Sequence, residues 1–221
     1  MRAATAEIAA RGSADSLAIT APPSFAEIWL LPRLGRFLAA HPDIDLRIEA
    51  SSRPVDFARE PVDASIRYGR GDWPGLVARR LIQERLVPVC APSLLSGEIG
   101  LATPADLERH TLIHSDQRLT SWTAWLRSHG YGDVRAARSL RFSQSAHSLR
   151  AAADGLGVAL ESRAMAAAHL EAGTLVEPFS SLAPADDGSA YHLVTSPDRA
   201  LLPTVRALDG WLAAEAAASA I

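Results

Sequence analysis

Between Ser16 and Tyr68 the chain carries three strand-like runs separated by two helical ones, and this order constrains the fold more than any other feature. Residues 16–20 read as a short strand, and Ala21-Pro22-Pro23 turns the chain. Ser24 is placed to cap a helix whose apolar residues Phe25, Ile28, Trp29, Leu34, Phe37 and Leu38 follow helical spacing. Pro32 is expected to kink that helix, and His41-Pro42 to end it. Ile44, Leu46 and Ile48 then alternate with Asp45, Arg47 and Glu49, a period-two strand with one charged face. A short helical connection over 55–60 leads to a third strand over 64–68. Strands that alternate with helices pair in parallel through crossovers, so the expected fold class is α/β.

The remaining chain continues the pattern. A strand is expected over 85–90, and a second unit then opens, with helices near 104–108 and 121–128 and strands over 111–113 and 138–142. A helix over 145–153, strands over 158–161 and 191–194, and a terminal helix over about 201–217 complete the reading. With 221 residues, 48% of them hydrophobic, the chain can bury one large core or two smaller ones. Lys and Arg number 22 against 25 Asp and Glu, a balance of −3, so the basic excess that phosphate contacts need is missing and the chain as it stands is a poor DNA binder. Cys90 is the only cysteine, which rules out an intrachain disulfide and a cysteine-rich metal site. A reducing cytoplasm fits this usage best. Met1 is followed by alternating small and charged residues without an apolar signal core, and no stretch reads as a membrane span.

Motifs for catalysis are weak. Gly155-Leu156-Gly157 lacks the third glycine of a dinucleotide fingerprint and follows a helix, so a helix-to-strand turn is the better reading. His110 and His114 flank an extended Thr111-Leu112-Ile113 and do not share a helix face as zinc ligands would. No G-x-S-x-G elbow is present, and Cys90 ends an apolar run. No cofactor is expected. Trp29, Trp125 and Trp211 fall in apolar helical patterns, whereas Trp73, in a Gly-rich turn after a strand, suits a ligand wall and simple loop packing equally. Ser24 and the Ser143-Gln144-Ser145 cluster both stand between a strand and a helix, where backbone N–H groups can receive an anion or merely be capped.

Several runs, in order, resemble one family. Pro23-Ser24-Phe25-Ala26-Glu27-Ile28-Trp29-Leu30-Leu31-Pro32-Arg33-Leu34, then Val62-Asp63-Ala64-Ser65-Ile66-Arg67-Tyr68-Gly69, Gly71-Asp72-Trp73-Pro74-Gly75-Leu76, Ala153-Asp154-Gly155-Leu156-Gly157-Val158 and Gly173-Thr174-Leu175-Val176-Glu177-Pro178-Phe179 are similar to the effector domains of LysR-type transcriptional regulators. The branch they resemble is that of the glycine-cleavage activators and β-lactamase regulators. The resemblance spans most of the chain from Leu17 to Glu215. It implies two Rossmann-like lobes around a cleft, as in type 2 periplasmic binding proteins, joined by two crossover strands. It also implies a small-molecule effector, homodimers, tetramers on DNA, and DNA contact only through a winged helix-turn-helix joined by a linker helix.

On that basis 1–13 resemble the tail of the linker helix, 14–90 with 190–221 form the first lobe, and 91–189 form the second. The expected effector-binding residues are Ser24 and Phe25 at the first helix, Ser51 and Asp56 after the second strand, Tyr68 after the third, and Ser145 in the other lobe. Hydroxyls and helix ends would hold polar or anionic groups, Asp56 would accept from a donor, and the aromatic rings would exclude water. An exported solute-binding protein of a transporter shares the architecture and remains the alternative, and an enzyme on the same scaffold is a third reading that lacks its motifs.

Overall fold

The computed structural model describes residues 16–97, 99–116 and 118–219; the stretch read as a linker remnant, 1–13, lies outside them. The strands fall into two sheets. In the first, β1 (Ser16–Ala21) pairs in parallel with β2 (Asp45–Ala50) on one side and β3 (Ala64–Gly69) on the other. Beyond β3 come β9 (Ala190–Thr195) and then β4 (Val77–Gln83), giving the order β2-β1-β3-β9-β4. The second sheet has the order β5-β8-β6-β7, from β5 (Leu86–Val89), β8 (Val158–Ser162), β6 (Thr111–Ser115) and β7 (Arg138–Phe142). The α/β expectation therefore holds, but neither sheet is wholly parallel. Strand β9 runs antiparallel to both neighbours, and β5 runs antiparallel to β8.

Helix α1 occupies 23–40 and begins with Pro23–Phe25. Its second turn, Ala26–Leu30, is π-helical, with the Leu31 N–H reaching back five residues to Ala26. Pro32 sits in the first turn of the next segment, Leu31–Ala40, and has no N–H to give to the preceding turn. The wide turn absorbs the kink expected there. The stretch 55–60 differs from expectation: Arg59 and Glu60 both donate to the Asp56 carbonyl, so it is a single turn that never propagates. The helix expected near 104 is a 3₁₀ segment, Pro104–Arg109, boxed by Thr103 and Asp106.

The second lobe carries α2 (Ser93–Ser96), α3 (Trp122–Ser128), α4 (Ser145–Ala153) and α5 (Arg163–Glu171), and α6 (Pro203–Ala218) returns to the first sheet. One apolar cluster runs from Leu17, Ile19, Trp29, Phe37 and Leu193 to Ile113, Leu149 and Met165 in the second lobe. A separate cluster of Leu112, Leu160, Trp122, Trp125 and Phe179 fills the far face of the second sheet. Two segments link the lobes side by side, with the Glu84 N–H donating to the Ser189 carbonyl at 3.1 Å and Leu86 exchanging bonds with Ala185 at 3.0 Å. Strand β5, expected in the first lobe because that lobe was drawn to residue 90, pairs with β8 in the second sheet. The first crossing is thus made at Glu84 and Arg85, because Leu86–Val89 finds its ladder only beyond it.

Candidate functional site

The carboxyl ends of β1, β2 and β3 open on one side of the first sheet, the side on which parallel α/β sheets hold ligands. There, Ser51 follows β2 and Tyr68 nears the end of β3, and both line a cavity of about 340 Å³. Trp73, the ring that suited a ligand wall and loop packing equally, lines the same cavity and also packs its edge on His192 with centroids 5.2 Å apart. Asp116 and Leu119, from the loop after β6, close the cavity from the second lobe. Asp116 also lines a smaller cavity of about 210 Å³ within that lobe, beside His114 and Arg141.

Ser24 meets the start of α4 across the lobes, at residues that flank Ser145. The Ser24 Oγ accepts from the Ala146 N–H at 3.1 Å and donates to Gln144 Oε1 at 3.2 Å. Helix α4 has no cap from its own side chains, so a hydroxyl of the first lobe satisfies one of its orphan N–H groups. The Ser145 Oγ lies 3.2 Å from the Ser115 Oγ, and both Ser24 and Ser145 are buried. Phe25 presents no surface to the cleft: it is wholly buried, stacked on Trp29 at 5.0 Å and against Tyr191 at 4.7 Å. Asp56 stands apart on an exposed turn, where its Oδ1 accepts from the Ala58 N–H at 3.1 Å. The structure thus brings Ser51 and Tyr68 to one cavity, joins Ser24 to the α4 end at a dry contact, and leaves Phe25 and Asp56 outside both.

Beside these contacts lies a cluster of charges. Arg118 is fully buried, and its Nε and Nη2 both donate to Glu161 Oε2, at 3.0 and 2.9 Å. Its Nη1 donates to Glu84 in the crossing segment and reaches the Tyr191 hydroxyl at 3.4 Å. The Tyr68 ring lies 5.4 Å from the guanidinium, and the Tyr68 hydroxyl bonds Ser189 Oγ at 2.8 Å in the other crossing segment. Ser162 donates to Glu84 Oε1 at 2.6 Å, so both Glu84 oxygens have partners. Glu161 Oε1 is buried without a direct hydrogen bond, although the nearby Ser145 hydroxyl favours the charged form of this carboxyl group. Burial pushes both carboxyl groups above the usual carboxylate range, against the pull of Arg118. Burial works against the Arg118 charge too, but Tyr191, Glu161 and Glu84 outweigh it and keep the guanidinium firmly protonated. One cation faces two acids in a buried site, where burial favours the neutral form of each acid and Arg118 the charged one.

With the two sheets, the paired crossings and the cleft in place, the known families divide clearly. The model of the LysR substrate binding domain matches residues 10–217. The chain belongs to the LysR substrate binding domain family. It is 42% identical over 215 residues to the glycine cleavage system transcriptional activator of Escherichia coli strain K12, covering 97% of this chain and 70% of that one. It is 37% identical over 207 residues to the HTH-type transcriptional activator AmpR of Pseudomonas aeruginosa, covering 93% and 68%. Among solved structures, the effector domain of that AmpR superposes with a TM-score of 0.79 at 36% identity, covering 93% of this chain and 97% of the other. The AmpR effector binding domain from Citrobacter freundii gives 0.78 at 30% identity, covering 92% and 99%. The type 2 periplasmic-binding-like fold and the resemblance read from sequence are both supported. This LysR-type domain is a regulatory, effector-sensing module, and the transporter alternative falls.

Sequence reasoning missed Arg118, Glu84 and Glu161. Glu161 carried a signal, because it interrupts the buried strand Val158–Ser162, and a charged residue inside such a run demands a partner. Nothing local marked Glu84 or Arg118, which meet Glu161 only after the lobes dock.

Proposed function

We propose that this domain binds a small polar metabolite in the cleft between its lobes and passes that occupancy to DNA binding by a longer regulator. The observation that carries the reading is the 340 Å³ cavity at the carboxyl ends of the first sheet, walled by Ser51 and Tyr68 of one lobe and by Asp116 and Leu119 of the other. A ligand touching both walls stabilises one relative setting of the lobes, which is what a population shift requires. In this reading Ser51 and Tyr68 touch the ligand, Ser24 holds the lobes against each other beside it, and Ser145 sits at the helix start that Ser24 caps. Phe25 backs the site through Tyr191, and Asp56 acts from the turn that follows β2. The domain works by binding and not by chemistry, in the cytoplasm, as a homodimer that forms tetramers in the full-length protein, with DNA contacted through an N-terminal domain. The first lobe, 14–90 with 190–221, and the second, 91–189, are the moving parts, with β5 travelling with the second.

The test is to fill the cavity. Ser51→Trp in the full-length regulator should abolish the response of a target promoter to its inducer while leaving operator affinity unchanged. An undiminished response places the ligand elsewhere.

A further inference from the structure

One arginine in this domain lacks the counter-charge that its neighbours all have. Arg33, Arg79, Arg118, Arg163 and Arg199, each partly or fully buried, lie within ion-pair distance of Glu215, Asp209, Glu84 and Glu161, Glu177 and Asp63 respectively. Arg67, also partly buried, has no carboxylate within that distance among the described residues. Its Nη2 donates to the Val55 carbonyl at 3.1 Å, and its Nε is buried with no partner. The guanidinium is fixed between two rings, with Phe57 at 5.7 Å and Trp73 at 5.8 Å. It stands near the end of β3, in the wall of the cavity that Ser51 and Ser52 also line.

Resting on the cleft reading above, we propose that Arg67 is the anchor for a carboxylate of the effector, and that the effector brings one such group to this wall. A half-buried cation without a counter-ion is a standing electrostatic cost, relieved when an anion arrives and accepts charge-assisted hydrogen bonds. Burial alone holds the Arg67 guanidinium below its usual value, with no acid pulling it back, in line with a site that waits for a negative group. The flanking rings hold the fork in place before binding, so little side-chain freedom is lost on capture. A single negative charge is the match. Arg53, the other cation on the wall, is already bound to Glu60, and Asp116 of the second lobe is bound to Arg141, so Arg67 is the charge on this wall left without a counter-ion among the described residues. The rest of the wall is mixed, with the hydroxyls of Ser51 and Ser52 beside the Trp73 ring and the exposed Leu119.

The test uses three probes on the 221-residue chain: cyclohexanecarboxylate, its neutral isostere cyclohexanecarboxamide, and inorganic phosphate, each at about 10 mM, a range that detects weak fragment-like binding. Nuclear magnetic resonance follows the Arg67 Nε–H and the Trp73 indole N–H, together with the amides of Ser24 and Ser145. The carboxylate should shift the Arg67 and Trp73 signals saturably, and the amide and phosphate should bind at least about tenfold more weakly. Arg67→Gln should weaken the carboxylate by at least about tenfold, and Arg85→Gln, at an exposed arginine away from this cavity, should not. Equal binding of the amide, tighter binding of phosphate, or an unchanged Arg67→Gln titration each overturns the anchor, as does a carboxylate that moves neither side-chain signal. If Arg67→Gln does not fold, the three wild-type titrations decide. The anchor and the cleft fail separately: a carboxylate that moves Ser24 and Ser145 but not Arg67 leaves the cleft standing and removes only the anchor.

Discussion

The buried charge cluster makes a sharp prediction about two substitutions that a simple ion-pair picture would rank alike. Among the described residues Arg118 is the only cation facing Glu84 and Glu161, and all three side chains are at most 3% exposed. Arg118→Met leaves both carboxyl groups in a dry site without a counter-ion, and breaking a buried pair from one side costs about 3–5 kcal/mol. In a domain of this size that is roughly a 6–20 °C fall in melting temperature. Glu161→Gln is different, because it removes one of two acids that share a single guanidinium and leaves Glu84 paired with Arg118. A neutral amide of the same shape retains an acceptor for Arg118, so the change should stay within about 1 kcal/mol, the scale of one altered hydrogen bond. The pH dependence follows from the raised values of both acids. A carboxyl group whose folded value is raised contributes stability that is fully present below its unfolded value, and this is lost as pH rises through the folded value. Wild type should therefore lose stability relative to Glu161→Gln as pH rises from the ordinary carboxylate range toward neutral. Urea denaturation of the three proteins across that range measures both effects. If Glu161→Gln is as damaging as Arg118→Met, or keeps the wild-type pH slope, Arg118 overrides burial at both acids and the reasoning is wrong.

Ser24→Ala removes the trans-lobe cap on the Ala146 N–H and should cost about 0.5–2 kcal/mol while raising the radius of gyration in small-angle scattering; an unchanged radius and midpoint would show that this contact does not hold the lobes. At Gly157 a Cβ would stand 2.3 Å from the Thr111 carbonyl oxygen, so Gly157→Ala should destabilise by about 1–3 kcal/mol or more, and a neutral result in urea would contradict the β6–β8 register. Asp56→Asn, on an exposed turn, should alter stability by less than about 0.5 kcal/mol while changing inducer dependence in the full-length regulator; transcription indistinguishable from wild type with and without inducer would uncouple Asp56 from the switch. Leu31 and Leu38 are 54% and 45% exposed on α1, next to the open edge of β2, and the double change to Glu should shift sedimentation at tens of micromolar from dimer to monomer. A wild-type monomer under those conditions would remove the dimer proposal altogether.

The sequence by itself determined the parts of this protein that depend on short-range pattern. Helical spacing from Phe25 to Phe37 put α1 in place, with Pro32 as its point of strain, and the alternation around Leu46 and Ile48 gave β2 its exposed charged face. These features are local, because side-chain period and backbone restriction are set within a few residues. Strand β4 was unread because Val77–Gln83 mixes arginines with apolar residues, and it becomes a strand only when β9 supplies a ladder to pair with. Helix α5 was missed for the same kind of reason: its alanine-rich run has little amphipathic signal and is fixed by Met165 and Ala166 packing into the core. At the site, Ser51 and Tyr68 were legible as residues that end strands, since strand ends face the cleft in any fold of this class. Asp56 was expected in the cleft and stands on a surface turn, because a stretch read as helix closed after one turn. Only the tertiary structure decided the partners of the charges. Arg118, Glu84 and Glu161 come from a loop, a crossing segment and a buried strand that lie 34 and 43 residues apart from Arg118 in sequence, and Arg67 is distinguished only by a carboxylate that never arrives. Coulomb energy depends on separation in space and on the water excluded around the pair, and both are properties of the docked lobes that no local stretch of sequence contains.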